Sequence, residues 1–176
     1  MPTKYNHKKI LLETEAFKKL YLLPPGTIVQ FKYTGIDIFD KKPIVLVLYS
    51  DNKQGFMDGI NLHYVSENII HKLFAKLQAS KMLGSNIVKD QIKDRKSNID
   101  IDYYRLDLSE HGWHPSLKHN IGTQQRVGKK LYERIIKPIK NVNNAYRTYS
   151  FDKIPGKKAK IVYYKWSQSQ MERFGN

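Results

Sequence analysis

The chain of 176 residues contains no cysteine. A disulfide framework is therefore excluded, and so is a metal centre built on thiolates. Long apolar runs are missing too. The longest, residues 44–49, has strand length and falls well short of the roughly 18 residues of a membrane-crossing helix, so no membrane partner is expected. Nor is a secretory leader expected, because Glu13, Glu15, Lys18 and Lys19 break the apolar stretch behind the basic first residues. There is no glycine-rich phosphate cradle, dinucleotide fingerprint or nucleophile elbow. Carboxylates are not paired at a spacing suited to acid–base work. No cofactor and no metal are expected on these grounds. Acidic residues are the last scarcity, 16 against 31 Lys and Arg.

That imbalance gives a net charge of +15, unevenly spread. Residues 118–176 hold 14 Lys or Arg and 3 acidic residues, a net of +11, whereas residues 1–117 hold 17 and 13, a net of +4. Such an excess concentrates anions, and nucleic-acid phosphate is the commonest polyanion to reward it. The rest of the composition suits a folded protein, with 40% hydrophobic residues along most of the length and 12 tyrosines. The length suffices for one domain with a true core, or for a small domain plus an appendage.

Residues 8–23 carry Ile10, Leu11, Leu12, Phe17, Leu20, Tyr21 and Leu22 among charges, which predicts a short amphipathic helix ended by Pro24, Pro25 and Gly26. Residues 27–33 alternate as a strand does. Residues 44–49 are a nearly unbroken aliphatic run, the pattern of a strand buried on both faces. A turn at 51–55 leads to a third strand over 56–65, where Gly59 marks a bulge or a close backbone approach. Three strands joined by short turns predict a small antiparallel sheet or an SH3-like barrel. Ser66 then reads as a helix cap, and Ile69, Ile70, Leu73, Phe74 and Leu77 place an amphipathic helix at 67–79 on that sheet. Residues 80–98 read as a short helix or a connection, 99–106 as an edge strand, 110–120 as a loop, and 124–137 as a helix stopped near Pro138. Two last strands, 145–151 and 160–166, are expected to form a hairpin across Ile154, Pro155, Gly156 and Lys157. The fold class is thus α+β. A helical arm occupies 1–26, the small sheet or barrel with its packed helix 27–80, and a basic helix-plus-hairpin extension 81–176.

The tail interleaves cations with aromatic rings. Arg147, Lys157, Lys158 and Lys160 are candidates for phosphate contact, with Tyr149, Tyr163 and Trp166 as packing or stacking rings. Arg147 has the planar fork that can grip a phosphate through two bonds. On the predicted helix, Arg126, Lys129, Lys130, Arg134 and Lys137 make a basic stripe that the lone Glu133 hardly offsets. The competing reading makes the aromatics core and the lysines a solvated face. His111, His114 and His119 crowd one loop around Trp113, near Asp102, Asp107 and Glu110. They are the candidates for catalysis, as a general base or a metal site, although their spacing matches no established metal motif. His63 reads as a core or edge histidine with a satisfied ring, and Asp37, Asp40, Asp51 and Asp58 as turn formers.

Three pieces of the chain carry a resemblance. One runs from Phe31-Lys32-Tyr33 through 42–48 to 59–65, the second is Ala145-Tyr146-Arg147-Thr148-Tyr149, and the third is 159–162 with Trp166. A proline before an apolar run, then glycine, hydrophobic, asparagine, hydrophobic, histidine and tyrosine ahead of a helix, resembles small virion-associated or DNA-end-associated proteins of large tailed bacteriophages. The resemblance implies a non-enzymatic structural or packaging-associated component of a phage particle, found in the host cytoplasm or the virion, that contacts DNA backbone. It carries over no active-site residues. Two alternatives stand beside it: a metal-dependent DNA end-processing nuclease using the histidine loop, and a pure virion assembly protein docking on acidic protein partners. A homo-oligomer is a further expected partner state.

Overall fold

The fold was obtained as a computed structural model, which describes residues 4–20, 23, 25–36, 39–79, 87–93, 100–106, 121–165 and 173. In chain order the strands and helices are β1 (Leu11–Lys19), β2 (Ile28–Gln30), β3 (Ile44–Asp51), β4 (Phe56–Asn61), α1 (Glu67–Ala79), β5 (Ile87–Lys93), β6 (Asp100–Leu106), α2 (Ile121–Leu131), β7 (Tyr146–Ser150) and β8 (Lys158–Tyr164). Among the described residues, six strands form one antiparallel sheet in the order β1-β8-β2-β3-β4-β7, and β5 pairs with β6 separately. The class is α+β.

Strand β3 sits near the centre because its apolar run has two faces to bury. The two-residue period sends Ile44, Leu46 and Leu48 to one face, where Ile70, Leu73 and Phe74 of α1 and Leu131 of α2 cover them. Val45 and Val47 go to the other face and pack with Phe31, Tyr33, Met57, Tyr149, Phe151 and Ile154. Helix α1 starts where expected, with the Ser66 hydroxyl accepting the Ile69 amide at 3.4 Å. Gly59 marks a close approach, since a Cβ there would press on Val45 and on the Leu46 carbonyl. Gly128 does the same for α2, letting the helix backbone settle against the Leu48 carbonyl. Past α2 the helix widens into a π-type turn, Tyr132–Ile136, which buries Ile135 and Ile136 ahead of Pro138.

Several expectations need correction. The segment read as a helical arm is strand β1, paired with β8 from Leu11↔Tyr164 to Lys19↔Lys158. A register shift between Glu13 and Phe17 breaks its alternation, so its apolar residues do not follow a clean two-residue period. Strand β2 is shorter than expected, and Phe31 and Tyr33 are buried beyond its end. Residues 87–93, read as helix or connection, are β5, and residues 100–106 pair with it instead of edging the main sheet. Asp58 lies inside β4, where it accepts 2.6 Å bonds from the Tyr146 and Thr148 hydroxyls of β7. Among the described residues no barrel closure is seen: β1 and β7 are the two ends of an open sheet.

The terminal hairpin does not form. Strand β7 pairs with β4, and β8 inserts between β1 and β2 on the far side of β3. The connection buries Phe151 and Ile154 against the second face of the sheet and reverses at Gly156 (φ 70°) and Lys157 (φ 51°). The tail therefore supplies an interior strand of the sheet.

Two substitutions test this packing. Gly128→Ala forces a methyl into the α2–β3 contact and should cost about 1–3 kcal/mol in chemical unfolding; an unchanged midpoint would refute the contact. The buried Tyr149 hydroxyl faces Asn61 without closing a hydrogen bond of normal geometry. Tyr149→Phe should leave stability unchanged or raise it, because no partner is orphaned. A loss above roughly 1 kcal/mol would mean that the hydroxyl is bonded after all.

Candidate nucleic-acid interface

Two adjoining cavities lie beside β1, β2 and β8. One, of about 420 Å³, is lined by Lys4, Tyr5, His7, Lys8, Lys42 and His63 among others. The second, of about 520 Å³, includes Phe17, Lys32, Lys158 and Lys160. They share Glu13, Gln30 and Lys42, so together they make one trough. Among the described residues, six lysines line it against a single carboxylate, Glu13. Among the described residues no carboxylate pairs with Lys8, Lys32, Lys42 or Lys158. Lys160 lies over the Phe17 ring at 5.5 Å, and that ring is 59% exposed. Tyr5, 41% exposed, stacks beside His7.

At one end of the trough sits a buried carboxylate. Asp40 is only 1% exposed, yet its two oxygens meet four donors. Oδ1 accepts from the Lys42 amide and from Lys4 Nζ, each at 3.2 Å. Oδ2 accepts from Asn61 Nδ2 at 3.2 Å and from His63 Nδ1 at 2.5 Å. Burial alone would raise the Asp40 carboxyl above its ordinary value of 3.8; the hydrogen bond and charge of His63, with Asn61 and Lys4, outweigh it and hold the group at about 2.

The chain folds this way locally because Asn61 ends β4. Its side-chain oxygen accepts the His63 amide at 3.0 Å and starts the 3-10 turn Leu62–Tyr64, which swings His63 out of the strand. The N-terminal arm docks on the same turn. The Tyr5 amide donates to the His63 carbonyl at 2.6 Å, and His7 Nε2 donates to the Val65 carbonyl at 2.7 Å. Burial lowers the His7 pKa, which favours its neutral ring. A carboxylate only accepts, so the proton shared with Asp40 sits on His63 Nδ1, and Nε2 is left as the ring's other nitrogen.

The residues singled out from sequence scatter. Lys158 and Lys160 line the trough. Lys157 is exposed at the turn before β8 and lines neither cavity. Arg126, Lys129, Lys130, Arg134 and Lys137 are all exposed, on α2 and the turns that follow it, but apart from the trough. Arg147 is half-buried; its guanidinium donates to the Asn144 and Tyr146 carbonyls at 2.7 Å each and covers the Tyr64 ring at 5.6 Å. Tyr149 packs in the core, fully buried and closed to any base. Tyr163 is half-buried. Trp166, His111, His114 and His119 lie outside the described residues. Sequence reasoning missed Lys4, Lys8, Lys32, Lys42, Phe17 and the Asp40–His63 pair. The signal within reach was Asn61-Leu62-His63, an Asx-started turn that looks like continuing strand.

No family model, curated protein or solved structure matches the chain. No helix among the described residues is long and apolar enough to cross a membrane.

The Asp40 network carries a pH signature. A carboxyl held below its unfolded value stabilises the fold above about pH 4, and that stabilisation fades as pH falls toward about 2. Asp40→Asn should cost roughly 2 kcal/mol at neutral pH. Urea unfolding of both proteins across pH should show the gap closing in that acid window. A gap that stays constant down to pH 2 would discard the assignment.

Proposed function

We propose that the protein binds the backbone of nucleic acid, with DNA as the expected partner, as a non-enzymatic structural or packaging-associated component of a tailed-phage particle. The trough is the observation that carries the reading. Lysine ammonium groups meet phosphates as compact charges and set no demand on base sequence. Phe17 and Tyr5 add exposed ring faces on which bases or sugars can rest. The phage setting comes from the resemblance of residues 31–65, 145–149 and 159–166 alone. A second reading, docking on another particle protein, is favoured by Ile36 and Phe39, which are 89% and 72% exposed on the loop before β3.

Salt titration tests the interface. Replacing Lys42, Lys158 and Lys160 by alanine together should flatten the slope of log affinity against log salt by about 0.9 per lysine on duplex DNA. The same change at Lys129, Lys130 and Arg134 should flatten it less. The reverse order would move the interface to α2, and no binding by the unaltered protein at moderate salt would end the reading.

A further inference from the structure

We infer that His63 and Asp40 form an acid–base dyad at one end of the trough, built to cleave a ribose-phosphate strand through that strand's own 2′-hydroxyl. The inference rests on the backbone-binding part of that reading and departs from its non-enzymatic part.

Three observations combine. First, His63 is oriented as a base should be. Nδ1 is held at 2.5 Å by a carboxylate that three further donors fix in place, and the backbone on either side of the ring is pinned by Asn61 and Tyr5. Nε2 has no hydrogen-bond partner among the described residues, and His63 lines the 420 Å³ cavity. This is the nucleophile-activating arrangement of a histidine whose second nitrogen is set by a carboxylate. Secondly, Lys8 and Lys42 line the same cavity with no carboxylate partner among the described residues, so a phosphate held there sits beside His63. Thirdly, among the described residues no serine or threonine lines that cavity, and the one side-chain hydroxyl there belongs to Tyr5. A ribose 2′-hydroxyl needs no protein nucleophile, because it arrives next to the phosphate it attacks.

The step balances without an added reactant. His63 Nε2 takes the 2′-hydroxyl proton, and the 2′-oxygen forms a bond to phosphorus. The bond from phosphorus to the 5′-oxygen breaks; that oxygen keeps the electron pair and takes a proton from water. His63 then returns its proton to solvent. The products are a 2′,3′-cyclic phosphate and a free 5′-hydroxyl. Lys8 and Lys42 offset the charge that builds on the non-bridging oxygens. Deoxyribose lacks the nucleophile, so DNA in the same trough stays intact. His63 is the catalytic residue and Asp40 a positioning residue.

The test uses the full chain with end-labelled single-stranded RNA and DNA of one sequence, in chelator, with binding and cleavage read from the same tubes. RNA should be cut to cyclic-phosphate ends while DNA is bound whole. His63→Ala should lose at least about 100-fold in rate, and added imidazole should restore part of it. Asp40→Asn should lower kcat and leave KM for RNA unchanged. RNA bound but intact at protein excess would overturn the dyad and leave the binding reading standing. Cleavage of DNA, or a rate unchanged in His63→Ala, would also overturn it. Failure to bind either strand would overturn both. The unaltered protein alone decides the first point, so a variant that fails to fold does not blunt the test.

Discussion

Strand β8 lies between β1 and β2, and most of the molecule is organised by those two ladders. On one side it runs from Leu11↔Tyr164 to Lys19↔Lys158, and on the other it meets Val29 and Gln30. Because both edges are paired, β8 fixes β1 to the sheet, and the Lys165 amide continues the seam to the Ile10 carbonyl at 2.8 Å. Its last residue reaches the helical layer: the Tyr164 ring stacks on Phe74 with centroids 4.2 Å apart, and its hydroxyl meets His71 Nδ1. Without β8, β1 would have no neighbour strand in the sheet, and the trough would lose Lys158 and Lys160. These contacts are distant in the chain; Thr14 donates to the Ile161 carbonyl across 147 positions. The loop-closure entropy of such a pairing must be met before its contacts reward it, so the main sheet is complete only when the last strand is in place.

The Asp40 site shows the same economy at the level of one carboxylate. Desolvating an ion costs several kcal/mol, and burying one alone would be prohibitive. Four donors from separate parts of the chain offset that cost: the Lys42 backbone just after it, Lys4 on the N-terminal arm, and Asn61 and His63 at the end of β4. Buried ionic networks seldom add much net stability over a well-packed apolar alternative. Their distinctive effect is geometric, and here it is to hold an imidazole in one orientation near Lys8 and Lys42, which have no carboxylate partner among the described residues.

How much of this was legible depended on whether the signal was local. The aliphatic run of β3, the helical spacing and Ser66 cap of α1, and the close approach at Gly59 are short-range patterns, and each was readable. Strands β7 and β8 were readable as strands but not as partners. Neighbouring strands pair in roughly two cases of three, and nothing in residues 151–157 says that Phe151 and Ile154 would be buried across a sheet face. For β1, the register shift between Glu13 and Phe17 mimicked helical spacing. The trough was illegible for a plainer reason. Linear charge density points to the tail, yet four of the six trough lysines come from residues 1–42, where eight bases face four acids and the net excess is +4 against +11 in the tail. Asp40 and His63 stand 23 positions apart, each inside a pattern with an ordinary explanation.

Shape then decides between the two basic surfaces. Charges on α2 project from a convex, exposed helix, where salt screens them beyond a Debye length of about 8 Å. Charges in a cleft with low-dielectric walls reinforce one another. In the proposed function the helix stripe would draw a polyanion in, and the trough would hold it. The identity of the cations points the same way. All six in the trough are lysine, while Arg147, whose fork would suit bidentate recognition, spends its donors on backbone carbonyls and covers Tyr64. A surface of point charges with exposed rings grips phosphate and sugar and is indifferent to base identity. That chemistry suits the proposed backbone binding, in which any stretch of strand would serve.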